Sequence, residues 1–229
     1  CDFYSSQHKE RAMLDGQIQN VIQVSEIITE VKEALEQKHG PFKEVCVAAA
    51  GRSLKTIQTK VTVPIHGRSI STTEQVKHIE LSAVQQAQFE LANTSKSSFH
   101  DYHCVGYSVV HYQLDGERIA SLIDQTGEEV SVEVIATFLP KVVVESLMAS
   151  LTRAQLEMKA LTLEPIAAIN VLVPASMRRL NVALIDIGAG TSDLALSRNG
   201  SITAYGMVPV AGDEITEKIS DHYLLDFKK

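Results

Sequence analysis

The run Asp186-Ile187-Gly188-Ala189-Gly190-Thr191-Ser192-Asp193 follows directly on the apolar stretch Val182 to Ile185 and gathers glycines, hydroxyls and carboxylates. A phosphate needs backbone N–H donors at close range, and glycine permits the conformations and the close approach that a Cβ would block. Gly188, Ala189, Gly190, Thr191, Ser192 and Asp193 are therefore candidate phosphate-binding residues, with the Thr191 and Ser192 hydroxyls as extra donors. Asp186 at the strand end could hold a hydrated Mg²⁺ that bridges phosphate oxygens, with Asp193 orienting the water shell. The loop is not a Walker loop, which needs Gly-Lys-Ser/Thr. Nor is it a full G-x-G-x-x-G, because Asp193 stands where the third glycine belongs. The plain alternative is a tight hairpin, since Gly and Asp between two strands are ordinary turn chemistry.

Two further stretches carry acids at candidate helix starts: Glu164-Pro165-Ile166-Ala167-Ala168-Ile169-Asn170 upstream and Val210-Ala211-Gly212-Asp213-Glu214-Ile215 downstream. Glu-Pro is also a common helix-opening pair, with the acid facing the positive end of the helix dipole. Taken in order, the three stretches resemble the motifs of the actin-like ATPase superfamily, which includes actin, MreB, the large heat-shock chaperones and FtsA. Residues 186–193 resemble its second phosphate motif, 164–170 its connecting motif, and 210–215 the glycine-acid turn that opens the next helix. The resemblance implies an α/β chain with part of the actin-like (ribonuclease H-like) ATPase fold, and ATP with Mg²⁺ as cofactors. It adds Gly212 and Asp213 to the nucleotide contacts and makes Glu164 an acid placed near an attacking water. It implies weak or regulatory ATPase activity at most.

Within the superfamily the chain is most similar to FtsA. Met13-Leu14-Asp15-Gly16 before a helix resembles the segment that precedes FtsA's extra subdomain, and Val45-Cys46-Val47-Ala48-Ala49-Ala50-Gly51 resembles the first strand and turn of that subdomain. FtsA carries an inserted strand-helix-strand-strand unit, subdomain 1C, of the SHS2 type. The resemblance implies a filament-forming cell-division scaffold that self-assembles and joins a tubulin-like, FtsZ-like division protein or other divisome proteins to the membrane from the cytoplasmic side. Membrane attachment would run only through a C-terminal amphipathic helix, for which the tail Leu224 to Lys229 is too short. A PilM-like pilus-assembly adaptor, or a chaperone-like or MreB-like ATPase using Glu164, are the alternatives. The superfamily's Asp-x-Gly-Thr phosphate motif and its late Gly-Gly adenosine motif are not in these residues. The expectation is a middle piece of a longer protein that binds ATP weakly or not at all by itself.

These residues need elements to hold them. Apolar positions Ile18, Val21, Ile22, Val24, Ile27, Ile28, Val31 and Leu35 predict a helix over 17–38, stopped by Gly40-Pro41. Val45 to Ala50 reads as a strand, Ile57 to Ile65 alternates as a second, and the two are expected to pair. Ser71-Thr72-Thr73-Glu74 offers a capping box between Ser71 and Glu74, ahead of a helix through Val76, Ile79, Ala83, Val84, Ala87 and Leu91. Tyr102 to Leu114 and Glu129 to Leu139 read as strands, Asp115-Gly116 as a turn, and Pro140 as a helix opener. Residues 45–139 thus read strand, strand, helix, strand, strand, between helical patterns on either side. Combined with the resemblance, this divides the chain into 1–42 and 141–180 as part of lobe I, 45–139 as the inserted subdomain, and 181–229 as the start of lobe II.

Composition excludes other classes. Lys plus Arg number 21 against 28 Asp plus Glu, a net charge of −7 without a long basic run, which argues against nucleic acid as partner. The hydrophobic fraction of 45% is that of a chain with a real core, and no apolar run approaches the roughly 20 residues that span a bilayer. Three cysteines without paired spacing suit a reducing cytosol. His100, His103 and Cys104 sit close in sequence, but neighbours on a strand point to opposite faces, so they read as structural rather than metal-binding. Cys46 reads as a small buried hydrophobe, and Arg178-Arg179 as a solvated loop.

Overall fold

The computed structural model describes residues 1–8, 12–14, 16–49, 54–95, 101–174, 176–177, 180–198 and 201–225. Asp15, Gly51, His100, Arg178-Arg179, Asn199-Gly200 and the tail 226–229 lie outside the described residues.

A short ribbon, β1 (Met13–Leu14) and β2 (Gln17–Ile18), leads into helix α1 (Val21–His39). The Asn20 side-chain oxygen accepts from the Ile22 and Gln23 N–H groups, both at 3.1 Å, and so takes up two of the helix's unpaired donors. Gly40 ends the helix in the left-handed region, φ 76°, with its N–H on the Glu36 carbonyl.

Strand β3 (Glu44–Ala49) pairs in parallel with β10 (Glu157–Leu163). It does not pair with β4 (Lys55–Pro64), which lies antiparallel to β9 (Glu129–Pro140). The expected pairing of the first two strands is therefore corrected. Parallel strands need a long crossover, and the chain between β3 and β10 supplies one more than a hundred residues long. Val45 and Val47 turn towards Ile28, Phe42 and Leu151, while Cys46 points the other way and is exposed, not buried.

The crossover contains a four-stranded sheet of order β4-β9-β6-β7, with β6 (Tyr102–Leu114) and β7 (Glu117–Ile119). The turn between the last two has φ 49° at Asp115 and 86° at Gly116, the primed-turn conformation that matches strand twist. A small ribbon of β5 (Ser69–Ile70) and β8 (Gln125–Thr126) closes one end. Helix α2 (Thr73–Ser95) covers one face, burying Val76, Ile79, Ala83, Val84, Ala87 and Leu91 against Val130, Val132, Val134, Ala136 and Phe138 of β9. Its cap sits one residue later than the sequence suggests. Thr72 Oγ1 accepts from the Gln75 N–H at 3.2 Å and Gln75 Oε1 accepts from the Thr72 N–H at 3.1 Å, so Thr72 and Gln75 form the reciprocal pair in place of Ser71 and Glu74.

Strands β6 and β9 outrun this sheet. Val105 and Leu139 at one end pack with Ala49, Leu163 and, from α3 (Lys141–Arg153), Val143 and Val144. Beyond β10 come α4 (Glu164–Leu172), the antiparallel meander β11 (Val182–Ile187), β12 (Ser192–Arg198) and β13 (Ser201–Val208), and α5 (Gly212–Tyr223). Ile169 and Val173 pack on one face of the meander against Ala195 and Ile202, while Ile185 and Ile187 on the other face are 65% and 69% exposed. β13 lies beside β6. Among the described residues no helix is long and apolar enough to cross a membrane.

Candidate functional site

The glycine run is the turn of the β11–β12 hairpin. Asp186 stands across the ladder from Asp193 and Ile187 from Ser192, and the Gly188 N–H donates to the Thr191 carbonyl at 2.9 Å. The hairpin geometry and the clustering of chemistry-bearing residues therefore coincide in one feature. Directly opposed residues on an antiparallel pair share a face, so Asp186 and Asp193 project to the same side. Asp193 is buried at 8% exposure and Asp186 is half-buried.

Helix α5 starts against this turn. The Gly212 N–H donates to the Gly188 carbonyl at 3.1 Å and the Asp213 N–H to the Ala189 carbonyl at 2.7 Å. The Ser192 hydroxyl donates to the Val210 carbonyl at 2.7 Å, and Glu214 Oε2 accepts from the Ala211 N–H at 2.8 Å. Gly212, Asp213 and Ser192 thus fasten the helix start to the hairpin in this structure. Neither Gly188 nor Gly212 uses the left-handed region. The reason for glycine is close approach: a Cβ on Gly212 would stand 3.3 Å from the Gly188 carbonyl oxygen. The brace through Val210 and Glu214 was missed by sequence reasoning, although Ala211-x-x-Glu214 carries half of a capping box.

Glu164 comes from elsewhere in the chain and joins the same face. It opens α4 directly after β10 and is exposed, with Pro165 buried beside it. Its carboxyl is raised above the ordinary range first by partial burial and then by the negative charges of Asp186 and Asp193. Asp193 is likewise raised, chiefly by burial, with a hydrogen bond from Thr191 pulling the other way and Asp186 adding repulsion. None of the ion pairs among the described residues involves these acids. The structure therefore brings Glu164, Asp186 and Asp193 to one place and braces Gly188, Ala189, Gly212 and Asp213 beside them.

An all-oxygen set with mutual repulsion and no basic partner fits a hard divalent cation. Among the described residues no three acid, His or Cys side chains converge tightly enough to ligate a metal directly.

No family model matches the chain. It is 24% identical to the cell division protein FtsA of Bacillus subtilis (strain 168) over 206 residues, 88% of this chain and 45% of that protein. It is 21% identical to FtsA of Pseudomonas aeruginosa over 215 residues, 93% of this chain and 49% of that protein. The chain spans a little under half the length of these curated relatives. Among solved structures, a chain of the PilM-PilN type IV pilus biogenesis complex matches with a TM-score of 0.65 at 19% identity, covering 93% of this chain and 56% of that chain. The resemblance to FtsA is borne out, and the architecture is the actin-like ATPase fold.

Proposed function

We propose that the chain is part of an FtsA-like, ATP-binding cell-division scaffold that self-assembles and links an FtsZ-like division protein to the membrane from the cytoplasmic side. The observation that carries this reading is the meeting of Glu164, Asp186 and Asp193 beside a glycine hairpin braced by α5. The likeness to FtsA supplies the biological setting. In this reading 1–42 and 141–180 belong to lobe I, 181–229 begins lobe II, and the sheet with α2 is the inserted subdomain that contacts partners or neighbouring subunits.

The roles follow from position. Asp186 at the strand end would hold a bound Mg²⁺ through its waters, and Asp193, buried beside it, would keep that carboxylate's surroundings negative. Gly188 to Ser192 line the phosphate side, with Gly212 and Asp213 holding the turn in shape. Glu164 stands across from both aspartates, where its carboxyl can orient a water. Bound Mg²⁺ would screen the phosphate charge and make the terminal phosphorus open to attack. The raised carboxyl of Glu164 suits a group that accepts a proton near neutrality better than an ordinary glutamate does.

The test is calorimetry with Mg-ATP on a longer protein that carries both lobes. Asp186→Ala should weaken Mg-dependent binding by about tenfold or more, the scale of one charge-assisted contact, with the melting temperature kept. Unchanged affinity with a lowered melting temperature would reduce the motif to a structural hairpin. The 229-residue chain alone should bind weakly, because half of a clamp must still offset at least ~4 kcal/mol of lost translational and rotational freedom.

The fold match to the PilM-PilN complex favours a second reading, a pilus-assembly adaptor. Co-sedimentation with an FtsZ-like protein against capture of a pilus-assembly peptide separates the two.

A further inference from the structure

On the α2 side of the inserted sheet, far in sequence from the acids above, one carboxylate is held by two tyrosines. Tyr107 Oη donates to Glu80 Oε2 at 2.8 Å and Tyr112 Oη donates to Glu80 Oε1. Five residues apart on a regular strand, the two tyrosines would face opposite sides. A β-bulge between Val109 and His111 resets the alternation, so that Tyr107 pairs with Ala136 and Tyr112 with Val132, both on the face that α2 covers. A bulge of this kind re-aims a side chain, here bringing both phenols to one carboxylate.

The clamped carboxylate opens into a pocket of about 500 Å³ between α2, β6 and the segment 120–123, with Lys77, Ser121 and Ile123 on its walls. That segment is anchored by Leu122, which is 1% exposed. None of the ion pairs among the described residues involves Glu80. Burial and the neighbouring carboxylate push the Tyr107 phenol up to about 12 and raise Tyr112 as well, so both stay protonated donors. Each carboxylate oxygen has taken one O–H and keeps capacity for a further hydrogen bond.

We propose that this pocket receives the guanidinium of an arginine in a peptide segment of a protein partner. The two oxygens of a carboxylate match the bidentate fork of arginine better than the single point charge of lysine. Tyr107 and Tyr112 line the pocket with aromatic surface, and Val76 and Ile123 line it with apolar surface suited to a methylene stem. Lys77 at the rim disfavours the incoming charge and sets the affinity low. This inference stands apart from the nucleotide site and does not depend on it.

The test is an NMR titration of the isotope-labelled 229-residue chain with acetyl-Gly-Arg-Gly-amide, with the same peptide carrying lysine or citrulline in place of arginine, and with guanidinium chloride. Saturable shifts at Lys77, Glu80, Tyr107, Tyr112 and Ser121 are expected with the arginine peptide. Citrulline should weaken them by about tenfold or more, as loss of a charged hydrogen-bond pair does, and lysine should bind less tightly than arginine. Glu80→Gln should abolish binding, Tyr112→Phe should weaken it, and Lys77→Ala should tighten it, with the melting temperature reporting the fold of each variant. Equal shifts with arginine and citrulline, none at these residues, or unchanged binding in Glu80→Gln and Tyr112→Phe would overturn the proposal. Guanidinium alone saturating the pocket as tightly as the peptide would assign it to small cations and overturn the peptide reading.

Discussion

At the scale of single residues, the paired carboxylates carry a signed pH dependence. Asp193 and Glu164 bind their protons more tightly in the folded chain than in the unfolded one. Their contribution to stability is complete below the unfolded value and is lost as pH rises through the raised folded value. Near neutrality both charges therefore strain the site. Asp193→Asn keeps the acceptor for Thr191 and removes the charge, so it should raise the melting temperature at about pH 7, with the advantage shrinking towards about pH 4 as the native acid protonates. Calorimetric scans across that range check it, and an offset that does not change with pH would sink it. The aspartates and the turn were legible because they are contiguous, and Glu164 because it opens a helix beside a proline. The Glu80 clamp was not, since the extra residue Val110 shifts the strand alternation and no composition signal marks a bulge.

At the scale of elements, helix α2 can be tested at its cap and at its seat. Thr72→Ala should cost about 1 kcal/mol, the usual loss of an N-cap side chain, whereas Ser71→Ala should cost only a few tenths. Equal costs in urea unfolding would return the cap to Ser71. Phe138, with no exposed surface beneath α2, seats the helix on β9; Phe138→Ala should cost about 3–5 kcal/mol in the same measurement. Helix and strand positions were readable from periodicity and from Gly and Pro stops. The partner of β3 was not, because alternation says that a strand is half-buried and nothing about which distant strand completes it. The capping residue was displaced for a related reason: Gln75 serves in the box as well as Glu74 could, and only the helix start decides between them.

At the scale of the molecule, the boundary drawn from periodicity, 45–139, runs through β3, whose hydrogen-bond partner is β10. Deleting 45–139 would strip β10 of its neighbour and remove Val105 and Leu139 from the cluster around Val143 and Leu163, so the shortened chain should fail to unfold cooperatively. An excised 54–140 fragment keeps both clusters under α2 and should show a cooperative transition by circular dichroism. Folding of the deleted chain, or a molten fragment, would contradict this division. β9 runs from beneath α2 into the cluster shared with α3 and β10, and β6 runs beside it with bulges between Cys104 and Gly106 and between Val109 and His111. At about 3.3 Å per residue such ribbons are roughly 40 Å long. Two strands hydrogen-bonded along most of that length form a continuous beam, and the bulge at Val105, where the part beneath α2 gives way to the cluster around Leu163, is the place where it can bend. A tilt of β10, which lies beside β6, is therefore expected to be taken up first at that bend and only then passed on to the tip.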